Sequence, residues 1–460
     1  MLTPVYTLLH QQAQQGHTRF CMPGHKGQLN EYDVTEAGEM DNLLHPKSSL
    51  ASAQTLLAQA YGAKQAWFGT CGTTMGNYAL IHSCAQENDL VLIASDCHLS
   101  VIHAAMLSRY RVSLISCDET KQDLPLPISV EKVRNAIVQH PEAKAVIITS
   151  PNYYGLCAEI PEIASLCHEH GMLLLIDAAH GAHFGFSPLL PSQPIQADGW
   201  VVSAHKTLCV SNQGSMIFLG KNSGLDVFRV ENNVHRFQST SPSWPLIAQM
   251  DLARALLCKQ GNESYQSLFR LIHAFELSVQ SLGIFCIQKP SFQKDFSRLV
   301  LDISQTGYTG FELSQWLSER GIWIEMADIR HLVLICTPQD TKKDFDTLYQ
   351  SLSSLPSRPI SFLSSPSLPR RNEEIFVPAS VEYGTIKTMP LSQSIGKISA
   401  RAVCCYPPGT AVLCPGEQIS IQQADYLYNM QQQGASISGC AEEEVFDSLS
   451  LYVMDSRPKA

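Results

Sequence analysis

The stretch Trp200-Val201-Val202-Ser203-Ala204-His205-Lys206 decides the fold. Apolar residues run unbroken into a Ser-x-His-Lys ending, the pattern of a strand buried in a parallel sheet that delivers one amine to a site at its carboxyl end. An amine held among other cations, with little water, loses its proton near neutral pH and attacks aldehydes. Taken alone, so short a motif reads as a solvated loop lysine. The neighbouring stretches decide otherwise.

Outward from this strand the pattern repeats. Apolar runs at Leu90–Ala94, Val112–Ser116, Ala145–Thr149, Leu173–Asp177 and Ser215–Leu219 alternate with helical stretches. Such alternation gives a mostly parallel or mixed sheet with helices on both faces, and ligand groups collect where its strands end. Four ends carry polar residues: Asp96-Cys97-His98, Thr149-Ser150-Pro151-Asn152, Asp177-Ala178-Ala179-His180, and Lys206. A carboxylate closing an all-apolar strand is costly to bury unless a cation meets it. For Asp177 that cation is a protonated pyridine nitrogen, the alternatives being a helix N-cap or a structural ion pair. A pyridine kept protonated is an electron sink for a carbanion. Lys206 and Asp177 together therefore suit pyridoxal phosphate (PLP), with His98 flat on one ring face.

A phosphate cradle completes the set. Trp67-Phe68-Gly69-Thr70-Cys71-Gly72-Thr73-Thr74-Met75-Gly76-Asn77 leads into the apolar Tyr78–Ile81. Glycine and hydroxyl residues at a helix start expose N–H and O–H donors at the positive end of the helix dipole. The stretch is neither G-x-x-x-x-G-K-[ST] nor G-x-G-x-x-G, which leaves a nucleotide site unsupported and an ordinary N-cap as the alternative.

The remaining chain frames these motifs. A short helix over Pro4–Gln15 and the turn Phe20–Gly27 precede two acidic stretches, Asp33-Val34-Thr35-Glu36 and Asp41-Asn42-Leu43, which are either solvated or face a substrate. A helix is expected over Ser52–Tyr61. A long helix from Trp244 through Leu282 leads to strands at Arg298–Ile303, Ile322–Met326 and His331–Cys336, with helices at Gly310–Arg320 and Thr341–Leu355. The expected domains are 1–243, an N-terminal segment with the cofactor domain; 244–356, a small α+β domain; a Ser/Pro-rich linker at 357–374; and a separate C-terminal α+β domain at 375–460. His180 and His183, with His168 and His170 nearby, lack carboxylate or cysteine partners at a metal-ligand spacing, so no metal is expected.

Bulk properties agree with a globular chain. Of 460 residues 45% are hydrophobic and 16% charged, and the formal net charge of -10 argues against nucleic acid or anionic lipid as the main partner. No apolar run reaches membrane-spanning length, and the start has no basic segment followed by an apolar core, so a cytoplasmic protein is expected. None of the 15 cysteines falls in Cys-x-x-Cys spacing, and several lie inside apolar runs (Cys84, Cys167, Cys286, Cys336), which reads as buried free thiols.

Six stretches in order resemble the PLP-dependent ornithine/lysine/arginine decarboxylase family: Met22-Pro23-Gly24-His25-Lys26-Gly27, Asp33–Glu36, Gly72-Thr73-Thr74, Asp177–Gly185, Ser203–Lys206, and the C-terminal Tyr406-Pro407-Pro408-Gly409 with Pro415-Gly416-Glu417. The resemblance implies an α/β fold: a fold type I large domain with a mostly parallel sheet, then two smaller α+β domains. It also implies decarboxylation of arginine, lysine or ornithine to the amine in polyamine biosynthesis, by a homodimer or a higher homo-oligomer. It makes Lys206 the cofactor-bearing lysine, Asp177 the pyridinium partner and His98 the stacking residue. Thr73, Thr74, Ser203 and His205 would bind phosphate, Gly72 would allow close approach, and His180 would lie beside the ring substituents. Asp33, Glu36 and Asp41 are candidates for the substrate's distal cation. The family's N-terminal wing domain has no counterpart, which implies the short bacterial, biosynthetic type. Cys71 stands where Asn is common, Ala178 where many relatives have Glu, and Ser48 where Gly usually follows Pro46. An aminotransferase or other PLP lyase of the same fold, or an inactive PLP-binding regulator, are the competing readings.

Overall fold

The computed structural model describes residues 2–120, 124–287, 293–360, 366–369, 371, 374–406, 410–441 and 449–455. Of the Tyr-Pro-Pro-Gly motif, residues 407–409 lie outside these, as do 361–365, 370 and 372–373 of the Ser/Pro-rich stretch. The chain forms two compact units, Met1–Cys84 with Leu173–Gln266, and Ala85–Met172 with Ser267–Ala460.

In chain order the first elements are α1 (Pro4–Gln14), α2 (Ser49–Ala60), β1 (Gln65–Gly69), α3 (Gly72–Ile81), β2 (Leu90–Ala94), α4 (Leu99–Leu107), β3 (Arg111–Ile115), α5 (Val130–Gln139), β4 (Ala145–Thr149) and α6 (Ile160–Glu169). There follow β5 (Leu173–Asp177), β6 (Gly199–Ser203), α7 (Ala204–Thr207), β7 (Ser215–Leu219), α8 (Val227–Phe237) and α9 (Trp244–Val279). The first unit holds sheet strands in the order β1-β7-β6-β5, and the second holds β4-β2-β3. Strand β5 is parallel to β6, and β2 is parallel to both β3 and β4, whereas β7 runs antiparallel to β6 and β1.

Every residue of β2, β6 and β7 is buried, as expected of strands covered on both faces. In the first unit Tyr61, Phe218 and Trp200 form a stack with centroids 4.6 and 5.1 Å apart. The Tyr61 hydroxyl donates to the Ala182 carbonyl at 2.6 Å, which ties the loop after β5 to α2. Helix α3 lies close on β6, because a Cβ at Gly76 would come within 2.4 Å of Val201 Cγ2. That closeness brings the α3 N-terminus to the strand ends.

In the second unit β8 (Phe285–Cys286), β9 (Arg298–Asp302), β10 (Met326–Ala327) and β11 (His331–Ile335) form an antiparallel sheet, with α10 (Gly310–Ser318) and α11 (Lys342–Ser353). The strand expected over Ile322–Met326 pairs as a strand only from Met326, and Trp323 is 88% exposed. Further on come β12 (Lys387–Pro390), β13 (Ile398–Ser399), β14 (Val403–Tyr406), β15 (Ala411–Leu413), α12 (Ile421–Gln432), β16 (Ser436–Ser438) and β17 (Ser450–Met454). They make two three-stranded antiparallel sheets, β12-β17-β13 and β15-β14-β16. All the cysteines are free. No helix among the described residues is long and apolar enough to cross a membrane.

Candidate active site

Strand β5 ends on Asp177, which is 3% exposed. Its Oδ2 accepts from Asn77 Nδ2 at 2.9 Å and its Oδ1 from the Ala179 N–H at 3.1 Å. Both donors are neutral, and Asp177 has no salt bridge among the described residues. A carboxylate buried on those terms lacks the cation that would offset its desolvation.

The register sets Asp177 opposite Val201 of β6, so the next turns of both strands emerge together. The Ala178 N–H donates to the Val201 carbonyl at 2.9 Å and the Ser203 N–H to the Ala179 carbonyl at 3.1 Å. The single-turn helix α7 then carries His205 and Lys206. Lys206 Nζ lies 3.1 Å from His180 Nε2, within hydrogen-bond reach.

Helix α3 opens at Gly72, whose φ of +72° explains the glycine. No atom lies within 4 Å of where its Cβ would be, so the space above the helix start is open. The Gly72 N–H donates to the Gln213 carbonyl at 2.9 Å, and its carbonyl accepts from Ser215 Oγ at 3.0 Å. Thr73 Oγ1 and Ser203 Oγ meet at 2.8 Å, while Thr74 and Cys71 are exposed. His205 Nδ1 donates to the Gly214 carbonyl at 3.0 Å, leaving Nε2 as the acceptor nitrogen. Burial, with the nearby Lys206 charge, holds the imidazole below its ordinary pKa despite that carbonyl, so it is neutral at neutral pH.

These groups fit PLP: an open helix start with two hydroxyls for the phosphate, an amine for the aldehyde, and a buried carboxylate without a cation for the pyridine nitrogen.

The other expected site residues lie as follows. His98 belongs to the second unit, is exposed, and caps α4 with Nδ1 accepting from the Ser100 N–H at 3.2 Å. Asp33 Oδ2 meets His25 Nε2 at 3.1 Å. Glu36 accepts from Asn42 Nδ2 at 2.6 Å and the Leu43 N–H at 3.2 Å. Asp41 is 8% exposed, and its carboxylate accepts from the N–H groups of Asn42, Lys47, Ser48 and Leu50 and from Ser48 Oγ, at the start of α2. Burial pushes its carboxyl up, but those backbone donors outweigh burial and hold it below the usual carboxylate value. Glu417 of the Pro-Gly-Glu motif accepts from Arg371 at 3.0 Å.

Sequence reasoning missed Asn77 and Gln238. Asn77 sits four residues after Thr73, on the same face of α3, and that polar pair in an otherwise apolar helix was the available signal. Gln238 binds Thr70 through both amide atoms, Oε1 from the N–H at 3.3 Å and Nε2 to Oγ1 at 2.6 Å, and so braces the turn before α3.

Comparison with known proteins places the chain in a family. The model of the Orn/Lys/Arg decarboxylase major domain matches residues 3–294, and that of the family's C-terminal domain matches residues 377–444. The arginine decarboxylase of Bacillus subtilis (strain 168) is 27% identical over 95% of both chains. The arginine decarboxylase of Halalkalibacterium halodurans is 26% identical over 98% of this chain and 97% of its own. The crystal structure of the Francisella novicida lysine decarboxylase LdcF superposes with a TM-score of 0.84 at 17% identity, covering 99% of this chain and 81% of that one. By its fold the chain has the type I architecture. More narrowly, it belongs to the Orn/Lys/Arg decarboxylase family and is a PLP-dependent decarboxylase of a basic amino acid.

Proposed function

We propose that the chain decarboxylates L-arginine to agmatine, acting on lysine and ornithine less well. Support comes from the two arginine decarboxylases, which align over nearly the whole of this chain and of themselves. The observation that carries the chemistry is the buried, cation-free Asp177 on the strand next to the one leading to Lys206.

Bound PLP supplies the sink for the electron pair left when the α-carboxylate departs. Lys206 would hold the cofactor through its aldehyde, its amine lying within reach of His180. Asp177 keeps a proton on the pyridine nitrogen, and Asn77 fixes the carboxylate that does so. Thr73, Thr74, Ser203 and the α3 N–H groups would hold the phosphate, with Gly72 leaving room for it; His205, whose Nδ1 proton goes to the Gly214 carbonyl, would join them once the phosphate's charge brings a proton to Nε2. By the resemblance, His98 would be the residue that stacks on the ring. His180, within reach of the Lys206 amine, passes a proton between that amine and the substrate α-carbon. Asp33 and Glu36 are the acids offered to the distal cation, while Asp41 serves its own loop. The working unit is a cytoplasmic homodimer in polyamine biosynthesis.

Carbon dioxide release from arginine, lysine and ornithine, measured side by side on the PLP-loaded protein, tests the reading. Arginine is expected to lead in kcat/KM by about tenfold or more, the scale of discrimination that one head group provides. Preference for lysine or ornithine overturns the substrate assignment. Accumulation of pyridoxamine phosphate without carbon dioxide overturns the reaction and favours an aminotransferase.

A further inference from the structure

The second unit holds a partly open cavity of about 130 Å³ between the ends of β2 and β3 and the C-terminal elements β15 and α12. Part of its wall is apolar, with Ile329, Val412 and Met430. Three carboxylates also line it: Asp96 beyond β2, Glu119 beyond β3, and Asp328 before β11. Two phenols join them. Tyr154 donates to Asp328 Oδ2 at 2.6 Å, and burial, with Cys405, Glu119 and Asp328 nearby, raises the Tyr426 phenol so that it stays protonated. Burial pushes the Asp328 carboxyl up, but His331 at 2.9 Å, the Tyr154 hydroxyl and the Arg330 N–H outweigh it and keep the group ionised.

Arg371 is the single cation among the described lining residues. Its guanidinium is turned to Glu417 at 3.0 Å and to the carbonyls of Ala411 and Val412. The described lining residues therefore combine apolar walls with an excess of negative charge. A space of this size admits a short organic molecule. Carboxylates select a cation, phenol rings attract an ammonium over their faces, and the apolar wall covers a methylene chain. A phosphate or carboxylate ligand would meet like charge.

We propose that this cavity binds a short linear alkylamine, of the class that decarboxylation releases, as an effector site distinct in its residues from the set on β5, β6 and α3. Naming the product class rests on the proposed function; the choice of a cation does not. Asp96 stands two residues before His98, and the Thr410 backbone bridges to His98. A ligand held there bears on the residue assigned to the cofactor ring.

The experiment titrates 1,4-diaminobutane calorimetrically into holoenzyme whose lysine–cofactor link has been reduced with borohydride, so that no amine exchanges at Lys206. One saturable site per chain is expected, weakened about tenfold or more by Glu119→Gln, as loss of a charge-assisted contact implies, and a few-fold by Tyr426→Phe with its unfolding midpoint unchanged. In turnover assays the diamine should inhibit without competing with arginine, and Glu119→Gln should relieve that inhibition while leaving uninhibited kcat unchanged. Absence of binding to the reduced holoenzyme, or binding and competitive inhibition that neither variant alters, overturns the site. Diamine binding that persists in a chain inactive on arginine supports the site and overturns only the substrate reading.

Discussion

Two carboxylates with the same 3% exposure, Asp177 at the end of β5 and Glu417 in the C-terminal segment, are stabilised in opposite ways. Glu417 has its cation in the chain: Arg371 at 3.0 Å, with the Cys414 N–H and Gln423 Nε2 each at 2.9 Å. Asp177 has one side-chain amide and one backbone N–H. A buried charge held only by neutral donors marks a place where the chain leaves its counter-charge to a ligand. The first region is finished by folding, the second by what binds there.

The largest expected effect bears on the ligand side of that contrast. Lys206→Ala should lose about four orders of magnitude or more in turnover, as removal of a covalent catalytic group does, and lose the long-wavelength absorbance of the lysine-linked cofactor. A variant that decarboxylates at the normal rate would remove the assignment of Lys206. Asp177→Asn comes next. It keeps the volume and most hydrogen-bonding geometry but no longer holds a proton on the ring nitrogen, so kcat should fall by about two to four orders of magnitude. The apo protein should melt close to the parent, since the substitution removes a buried charge that meets no cation among the described residues. A large drop in apo stability would break the comparison, because Asp177 would then have an internal counter-charge.

Glu417→Gln should behave the other way round. It leaves Arg371 buried without its carboxylate, at a cost of about 3 kcal/mol in urea-unfolding free energy, with kcat of the folded fraction close to the parent. Of the two carboxylates, only Asp177 announces itself by a physical pattern; Glu417 enters only as the last residue of the Pro-Gly-Glu motif. An acid ending an unbroken apolar run is visible because the run gives the strand and the strand gives the end. The same logic made Lys206, and the strands β2 to β7, legible. Glu417 lies in a turn without periodicity, and its partner is 46 residues away in a stretch rich in Ser and Pro. Strand β1 was hidden because it closes on Gly69, whose neighbour Ser215 leaves no room for a Cβ, and glycine there read as part of the phosphate turn. Gln238 acts on a residue 168 positions away, a distance that no local pattern encodes, and Asn77, whose partner lies 100 positions away, is signalled only by its place on the Thr73 face of α3.

Asp41 supplies the intermediate case and the smallest expected effect. Its carboxylate, taken from sequence as a candidate for the substrate's cation, gathers backbone N–H groups at the start of α2, where the helix dipole provides part of a positive charge. Because those donors hold its folded-state pKa below the ordinary 3.8, its contribution to stability is present above that pH and is lost as pH falls through the lowered value. Asp41→Asn should therefore cost about 1 kcal/mol at neutral pH, the usual worth of such a cap. It should also flatten the acid limb of the stability curve, so that urea midpoints of variant and parent converge at low pH. The ratio of arginine to lysine turnover should not move. If that ratio shifts while stability does not, Asp41 contacts the substrate and belongs with Asp177 among the charges completed by a ligand rather than with Glu417 among those completed by the fold.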